Sequence, residues 1–269
     1  MQQNRTDKQP LRIAQITDTH LYADTDGSLL GLNTRECLDR VVQLAQQDNS
    51  FDLVVASGDL AHDGSEAAYQ RVREQIGHLG IPVYCLPGNH DEASAICKHL
   101  NGDNFHCART KLAGGWQLVF LDSTVEGREG GHLGASELDI LSQALDKHPE
   151  LPTIVWLHHQ PVQMGSRWLD TMAVDNPDDF FAVIDRHPQV RAIVWGHVHQ
   201  DFEQQRNDVR MLASPSTCLQ FLPASKDFAV DEIPPGYRWL ELYPDGSLQT
   251  GVKRLAEIPG HIDLSARGY

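Results

Sequence analysis

The sequence predicts an α/β fold, and two observations indicate it. Short apolar runs typical of buried strands alternate with stretches whose apolar residues recur at helical spacing. A chain of 269 residues is also long enough to bury a full core. Because no repeat, low-complexity tract or shift in composition divides the chain, we expect one domain over residues 1–269. Residues 10–200 would form its catalytic core, and residues 201–269 would add C-terminal strands and an arm.

The first half of the chain alternates strands and helices. Residues 11–17 read as a strand, and Asn33 with Glu36 forms a pair resembling a capping box at the start of a helix over residues 34–47. Apolar periodicity then predicts strands over 51–56 and 81–86, and helices over 65–76 and 91–100.

The second half continues this alternation and then changes character. We predict strands over 116–121, 153–157 and 190–195 and a helix over 136–147. A further helix starts with Asn176 as its cap and Pro177 at its first position and continues into residues 180–186. Strands over 210–213, 237–243 and 247–252 follow, the last two as a hairpin.

Composition limits the function classes. The formal net charge of −15 argues against binding a nucleic-acid backbone through a basic surface. The polar first ten residues do not read as a signal peptide, and no apolar stretch is long enough to cross a bilayer, so we expect a cytoplasmic protein without a membrane partner. Five scattered cysteines predict reduced thiols and neither a disulfide framework nor a thiolate zinc site.

Side chains that bind metals follow five of the predicted strands. If the chain is extended where each strand ends, residues two apart face the same side, so Asp18 with His20 and His197 with His199 each point two donors into one pocket. Singly, such residues are more often turn residues or satisfied polar groups, but their joint placement predicts a metal site. The candidate ligands are Asp18, His20, Asp59, Asn89, His158, His197 and His199.

The chemistry of these donors narrows the metal. They offer imidazole nitrogen with carboxylate or amide oxygen and no sulfur, which suits Fe, Mn, Zn or Co and is too rich in nitrogen for calcium. Seven donors exceed what one ion takes, so two ions sharing a bridging carboxylate are expected. Fe and Mn are the first choices, with Zn and Co as alternatives.

The ordered segments Asp18-x-His20, Gly58-Asp59, Gly88-Asn89-His90-Asp91, His158 and Gly196-His197-x-His199 resemble the signature of the calcineurin-like metallophosphoesterases. The resemblance implies a four-layer α-β-β-α sandwich of two mixed sheets flanked by helices. It also implies that Asp18, His20 and His199 hold one ion, that Asn89, His158 and His197 hold the other, and that Asp59 bridges them.

The same resemblance places His90 just outside the metal shell. There it would protonate the departing oxygen while water activated by the two ions attacks phosphorus. Asp91 would orient His90 or, equally, cap the following helix. His159 is expected to pack behind the site, and Asp122 to brace the ligands or form a turn. His62 is expected to be an exposed loop histidine, with contact to the substrate as the less favoured alternative.

Longer segments extend the resemblance toward the bacterial class III cyclic AMP phosphodiesterases. They are residues 16–21, 31–34, 168–170, 215–221 and 235–238. This similarity implies hydrolysis of 3′,5′-cyclic AMP to 5′-AMP, with His20, Asp59, Asn89, His90, His199 and Thr217 contacting the substrate. Trp168 and Phe221 could stack on the purine and Thr217 and Gln220 could hydrogen-bond it, although loop aromatics more often anchor a core.

Three alternative functions use the same features. A phosphodiesterase or phosphomonoesterase of broader specificity would need the same site. A nuclease is disfavoured by the acidic charge, and a non-catalytic scaffold is disfavoured by the complete donor set. A homodimer is one expectation for the assembly, and residues 254–269 could form an arm, a dimer contact or a disordered tail.

Overall fold

Two six-stranded sheets dominate the fold. The computed structural model describes residues 9–48 and 51–268. The strands are β1 (Leu11–Ile16), β2 (Ser28–Leu29), β3 (Leu32–Asn33), β4 (Leu53–Ser57), β5 (Val83–Leu86), β6 (Phe105–His106), β7 (Thr110–Ala113), β8 (Trp116–Phe120), β9 (Thr153–Trp156), β10 (Val190–Trp195), β11 (Phe202–Arg206), β12 (Val209–Ala213), β13 (Gln220–Phe221), β14 (Val230–Asp231), β15 (Gly236–Leu242) and β16 (Leu248–Arg254).

Six helices flank the sheets. They are α1 (Thr34–Asp48), α2 (Glu66–Gly77), α3 (Ala93–His99), α4 (Ala135–Lys147), α5 (Arg167–Asp170) and α6 (Pro177–Ile184). The predicted cap of α1 is present, since the Glu36 N–H donates to Asn33 Oδ1 at 2.8 Å. Within the described ranges, none of these helices combines the length and apolar character needed to cross a membrane.

Both large sheets are parallel at the centre; the first has antiparallel strands at one edge and the second has them at both edges. The first has the order β16-β15-β1-β4-β5-β6, in which β1, β4, β5 and β6 are parallel. The second has the order β11-β12-β10-β9-β8-β7, with β12, β10, β9 and β8 parallel. Because the carboxyl ends of parallel strands meet at one edge of a sheet, the loops after these strands gather there.

Three apolar clusters divide the molecule into four layers. The central cluster lies between the sheets and joins Ile13 and Val55 of the first sheet to Trp156 and Val194 of the second. A second cluster packs α1, α2 and α3 on the outer face of the first sheet. A third packs α4, α5 and α6 on the second sheet. The predicted α-β-β-α sandwich is therefore confirmed.

Some local predictions need correction. Pro177 begins α6 and Asn176 is its N-cap residue, as expected, but the Asn176 side chain makes no cap hydrogen bond. Its Oδ1 instead accepts the Leu133 N–H at 2.9 Å and ties the helix to the preceding loop. The edge strands β7 and β11 were not predicted. Their exposed, largely polar sequences lack the apolar run that marks a central strand.

Candidate metal centre

The sequence-predicted ligands converge where the two sheets face each other. The ligand atoms of Asp18, His20 and His199 form one group, and those of Asp59, His158 and His197 form a second; within each group, the atoms lie within 4.8 Å of one another. Gln15 on β1 links the sheets beneath this point, because its amide donates to Ser57 Oγ at 2.8 Å and to the Trp195 carbonyl at 3.1 Å.

In the first group, the ring of His199 has a defined orientation. Its Nδ1 donates to the Leu219 carbonyl at 3.0 Å, and the ring of Phe221 stacks on it at a centroid distance of 4.2 Å. Nε2 of His199 therefore faces inward, 3.3 Å from Asp18 Oδ1 and 3.3 Å from His20 Nε2. This is the arrangement by which a protein fixes the tautomer of a metal-binding imidazole.

The second group is oriented in the same way. His158 Nδ1 donates to the Ser57 carbonyl at 2.9 Å, which directs Nε2 toward Asp59 Oδ2 at 3.2 Å. Asp59 Oδ2 is also 3.8 Å from His20 Nε2 of the first group. The Asp59 carboxylate thus lies between the two groups, where a bridging ligand would be needed.

Several buried polar atoms at the site lack hydrogen bonds, as expected for residues that bind metal ions. Within the described part of the chain, Asp59 Oδ2, Asn89 Oδ1, His158 Nε2 and both ring nitrogens of His197 are buried without a well-formed hydrogen bond. Leaving a buried polar atom unpaired costs about 1–3 kcal/mol each. Cations bound among these atoms would remove that cost, and nitrogen with carboxylate or amide oxygen is a suitable donor set for Fe, Mn, Zn or Co. The residues therefore fit a dinuclear metal site.

The protonation of the histidines also suits metal binding. Burial, with smaller effects from neighbouring histidines, lowers the pKa of His20 and of His197 well below the usual value, so both rings are neutral and have a lone pair to offer. Burial is the largest single effect on His158 and lowers its pKa, but the charge and hydrogen bond of Asp59, the Asp18 charge and the Ser57 carbonyl together outweigh burial and raise the pKa to about 9. Without metal, this proton balances the carboxylate that a cation would otherwise neutralise.

The backbone at the site differs from the extended chain that the sequence suggested. Asp18, His20, Asp59, His197 and His199 all have positive φ, between 46° and 62°. The paired residues do converge, but through left-handed turns and not through strand alternation. Such conformations are uncommon in residues other than glycine and cluster at functional sites, where the surrounding structure holds them.

Two glycines provide the space in which these side chains meet. A Cβ at Gly88 would collide with the backbone nitrogen and carboxylate of Asp59 and with the ring of His158. Gly58 has φ of 94°, and a Cβ there would collide with the same ring. Close approach therefore requires glycine at both positions, and the left-handed backbone conformation requires it at Gly58 as well.

His90 lies at the edge of the metal groups. Its backbone N–H donates to Asp59 Oδ1 at 2.9 Å. Its ring meets His20 edge to face at 5.0 Å and stacks on His62 at 4.7 Å, with 21° between the latter planes. The ring also lines two cavities, so it is placed to meet a bound ligand.

The hydrogen bonds of Asp91 join two loops of the site. Its carboxylate accepts hydrogen bonds from the N–H groups of Leu60, Ala61 and Gly88, each at 3.0 Å, and from the Tyr69 hydroxyl at 3.1 Å. These bonds fasten the Asp59 loop to the Gly88 loop. Helix α3 begins at Ala93 with Glu92 as its N-cap residue, so capping by Asp91 is wrong. Orientation of His90 by Asp91 stays a prediction.

Three further residues can now be placed. His159 is buried behind His197, with its ring 4.7 Å away and its Nδ1 2.8 Å from Ser123 Oγ, as the packing prediction required. Asp122 forms a turn by accepting the Thr124 N–H at 2.9 Å. His62 was expected to be exposed, but it is half-buried against His20 and His90; sequence reasoning missed it because a single loop histidine carries no pattern.

Two cavities flank Asn89 and His90. One of about 190 Å³ is lined by these two residues, by His197, by the aromatic side chains of Trp168, Phe221 and Phe228, and by Glu129, Met172, Arg267 and Gly268. The other, of about 740 Å³, is lined by residues 62–64, 89–94 and 124–127. The C-terminal segment thus returns to the site, anchored by the buried side chain of Ile262 and by the Asp263 N–H, which donates to the Leu30 carbonyl at 2.9 Å.

The predicted base contacts are partly revised. Phe221 is 1% exposed and stacks on His199, so it supports the site from behind. The Gln220 amide donates to the Ser216 carbonyl and accepts from Arg254, so both of its polar groups have protein partners; its contact with the purine edge or the ribose stays a prediction. Thr217 is fully buried, and its N–H donates to the Thr17 carbonyl; its substrate contact stays a prediction.

Two adjoining groups of metal-binding side chains at the strand ends of a four-layer sandwich define the class of two-metal phosphoesterases. The sequence model of one family, described as calcineurin-like phosphoesterase, matches residues 11–201. The chain belongs to the calcineurin-like phosphoesterase family, which confirms the resemblance.

Curated relatives refine this comparison. The chain is 39% identical over 258 residues to the 3′,5′-cyclic adenosine monophosphate phosphodiesterase CpdA of Pseudomonas aeruginosa, with 96% of this chain and 94% of the relative covered. It is 41% identical over 261 residues to CpdA of Escherichia coli strain K12, with 96% and 95% covered. A dimetal phosphatase from Danio rerio shares the fold, with a TM-score of 0.63, 14% identity, and coverage of 91% of this chain and 99% of that one.

Proposed function

We propose that this protein hydrolyses 3′,5′-cyclic AMP to 5′-AMP with two bound metal ions. The observation that carries the proposal is the similarity to proteins named for this activity over nearly the whole of both chains. The geometry supports it, because a dinuclear site adjoins cavities large enough to admit a small ligand.

We assign the ligands from the two groups. Asp18, His20 and His199 would hold one ion. His158 and His197 would hold the other together with Asn89, whose buried side-chain oxygen is otherwise unpaired. Asp59 would bridge, since its Oδ2 approaches both groups. Iron, manganese or one of each is our first choice, because imidazole with oxygen donors suits these metals.

When bound, the two ions would supply activated water and would bind the phosphoryl oxygens. Side chains of the protein would donate the proton and hold the substrate. His90, aimed into both cavities, would donate a proton to the O3′ atom as the P–O3′ bond breaks. Asn89 lines the same cavities and would help to hold the phosphate, and His20, Asp59 and His199 would contact it from the metal side.

The nucleoside would occupy the smaller cavity. Trp168 and Phe228 are half-buried there, with their rings 5.1 Å apart, and they offer apolar faces for a purine. Phe221 packs at 4.9 Å from Trp168 and holds that ring in place. Stacking on an aromatic face is tolerant of base identity, so we expect cyclic GMP to be accepted at a lower rate.

The test is turnover of cyclic AMP by protein reconstituted with iron or manganese, beside cyclic GMP, 2′,3′-cyclic AMP and a phosphomonoester. Release of 5′-AMP should stop on chelation and fall about 10²–10⁴-fold in His90→Ala. Asn89→Ala should also lose activity, whereas the exposed, distant-site control His78→Ala should retain it. If cyclic AMP is untouched while another ester is hydrolysed with the same metal dependence, the substrate assignment is wrong and a broader esterase is correct.

Location and assembly belong to the same proposal. We propose a cytoplasmic setting, supported by five free thiols, of which Cys97 is exposed. The homodimer stays a prediction. Fractionation of cells and light scattering of the purified protein would measure the two properties.

A further inference from the structure

The ring of His62 packs against the rings of His20, Tyr22 and His90, and His62 has no role among the ligands assigned to the proposed metal site. It follows the loop that carries Asp59 and is half-buried. Its ring stacks on His90 at 4.7 Å, and Tyr22 packs against it, also at a centroid distance of 4.7 Å with 38° between planes. The imidazole is therefore held in a defined position beside the metal groups.

One nitrogen of this ring meets a proposed metal ligand. Nδ1 of His62 is 3.2 Å from Nδ1 of His20. On the other side of the His20 ring, Nε2 is 3.3 Å from His199 Nε2 and 3.8 Å from Asp59 Oδ2. If His20 Nε2 is the metal ligand, His20 Nδ1 carries the ring proton and donates a hydrogen bond to His62 Nδ1.

Two other proposed ligand histidines also make a hydrogen bond through Nδ1. His158 and His199 each donate their Nδ1 proton to a backbone carbonyl. His20 instead faces the side chain of His62 at the corresponding atom. Partners of this kind fix the tautomer and orientation of a metal-binding imidazole, and their loss typically lowers metal affinity about 10–100-fold.

We infer that His62 is a positioning residue for the metal centre. Its Nδ1 accepts a hydrogen bond from His20 Nδ1, and this bond directs His20 Nε2 toward the ion that His20 would hold together with Asp18 and His199. The inference rests on the proposed function only in taking His20 as a metal ligand. The His62 ring packs between Tyr22 and His90, and these contacts keep its Nδ1 in place. No substrate contact by His62 is required.

Two substitutions distinguish the effect of the hydrogen-bond acceptor of His62 from the effect of its stacked ring. His62→Asn keeps an acceptor, Oδ1, near the position of Nδ1 but removes the ring. His62→Phe keeps a ring that can stack but has no acceptor. His78→Asn is the matched control, because His78 is an exposed histidine at the C-terminal end of α2. Circular dichroism of each metal-free variant verifies that it is folded.

The readout is metal retention, measured by mass spectrometry of the protein during titration with a chelator. His62→Phe should lose one of two ions at a chelator concentration about 10–100-fold below that needed for the wild type. His62→Asn should stay within about threefold of the wild type, and His78→Asn should match it. Full metal retention by His62→Phe would overturn the inference, as would equal loss in the Asn and Phe variants.

This result is independent of the substrate. If the wild-type protein fails to hydrolyse cyclic AMP but His62→Phe loses its ion, the proposed function is wrong and the role of His62 stands. If cyclic AMP is hydrolysed and His62→Phe keeps both ions, the proposed function stands and the inferred role of His62 is wrong. Hydrolysis of bis(p-nitrophenyl) phosphate, an activated diester, provides a second measure of metal occupancy in each variant.

Discussion

Gly88→Ala adds one methyl group at the centre of the site. The new Cβ would collide with the backbone nitrogen and carboxylate of Asp59 and with the ring of His158. The backbone nitrogen cannot move away as a flexible side-chain end could. Overpacking of this kind costs about 1–3 kcal/mol. At about 2–4 °C per kcal/mol for a large domain, we expect Tm to fall by roughly 2–12 °C.

The collision should also reduce metal binding. Asp59 lies between the two metal groups and His158 belongs to the second, so displacing them disturbs both ions. We expect Gly88→Ala to release metal at lower chelator concentrations than the wild type and to lose most phosphodiesterase activity. Thermal unfolding with and without metal separates the two effects.

Gly77→Ala is the matched control for this prediction. Gly77 ends α2, and a Cβ there would lie 3.7 Å from Phe105, an ordinary contact. Alanine is favoured over glycine in a helix by about 0.5–1 kcal/mol, so Tm should be unchanged or slightly higher. Equal Tm and equal metal retention for Gly88→Ala and the wild type would refute the steric reasoning.

Three other measurements test different parts of the molecule. Burial raises the pKa of Asp48, but hydrogen bonds from Lys253 and Tyr237 lower it overall. Because water screens this partly exposed pair, Asp48→Asn should cost up to about 1 kcal/mol at pH 7. The difference in urea denaturation should shrink as pH falls below 3.8 and vanish below the lowered pKa of Asp48. Arg267→Ala should raise KM up to about fivefold with little change in kcat, because this exposed cation lines the smaller cavity; steady-state kinetics with an unaltered KM would contradict that contact. Chelation should lower Tm, since ions at 100 times their Kd stabilise the fold by about 2.7 kcal/mol; an unchanged calorimetric Tm would argue against the metal site.

The central strands and the site loops could be predicted because each is marked by a local pattern of residue types in the sequence. Strands such as β4 and β10 are buried along their whole or nearly whole length, so they appear as continuous apolar runs. A parallel strand also presents its carboxyl end at a common edge, so the polar residues after several such strands can be expected to meet. The edge strands β7 and β11 were missed because their sequences alternate or expose polar residues, as loops do.

The α/β class, the seven candidate ligands and the family resemblance follow from the amino-acid sequence, because strand burial and donor chemistry depend on residue type and order. Which atoms come into contact depends on the tertiary structure. The left-handed turns at Asp18 and His197, and the contact of His62 with His20, each depend on chain segments that are distant in sequence. Those contacts arise when two sheets pack face to face, and no local pattern encodes their geometry.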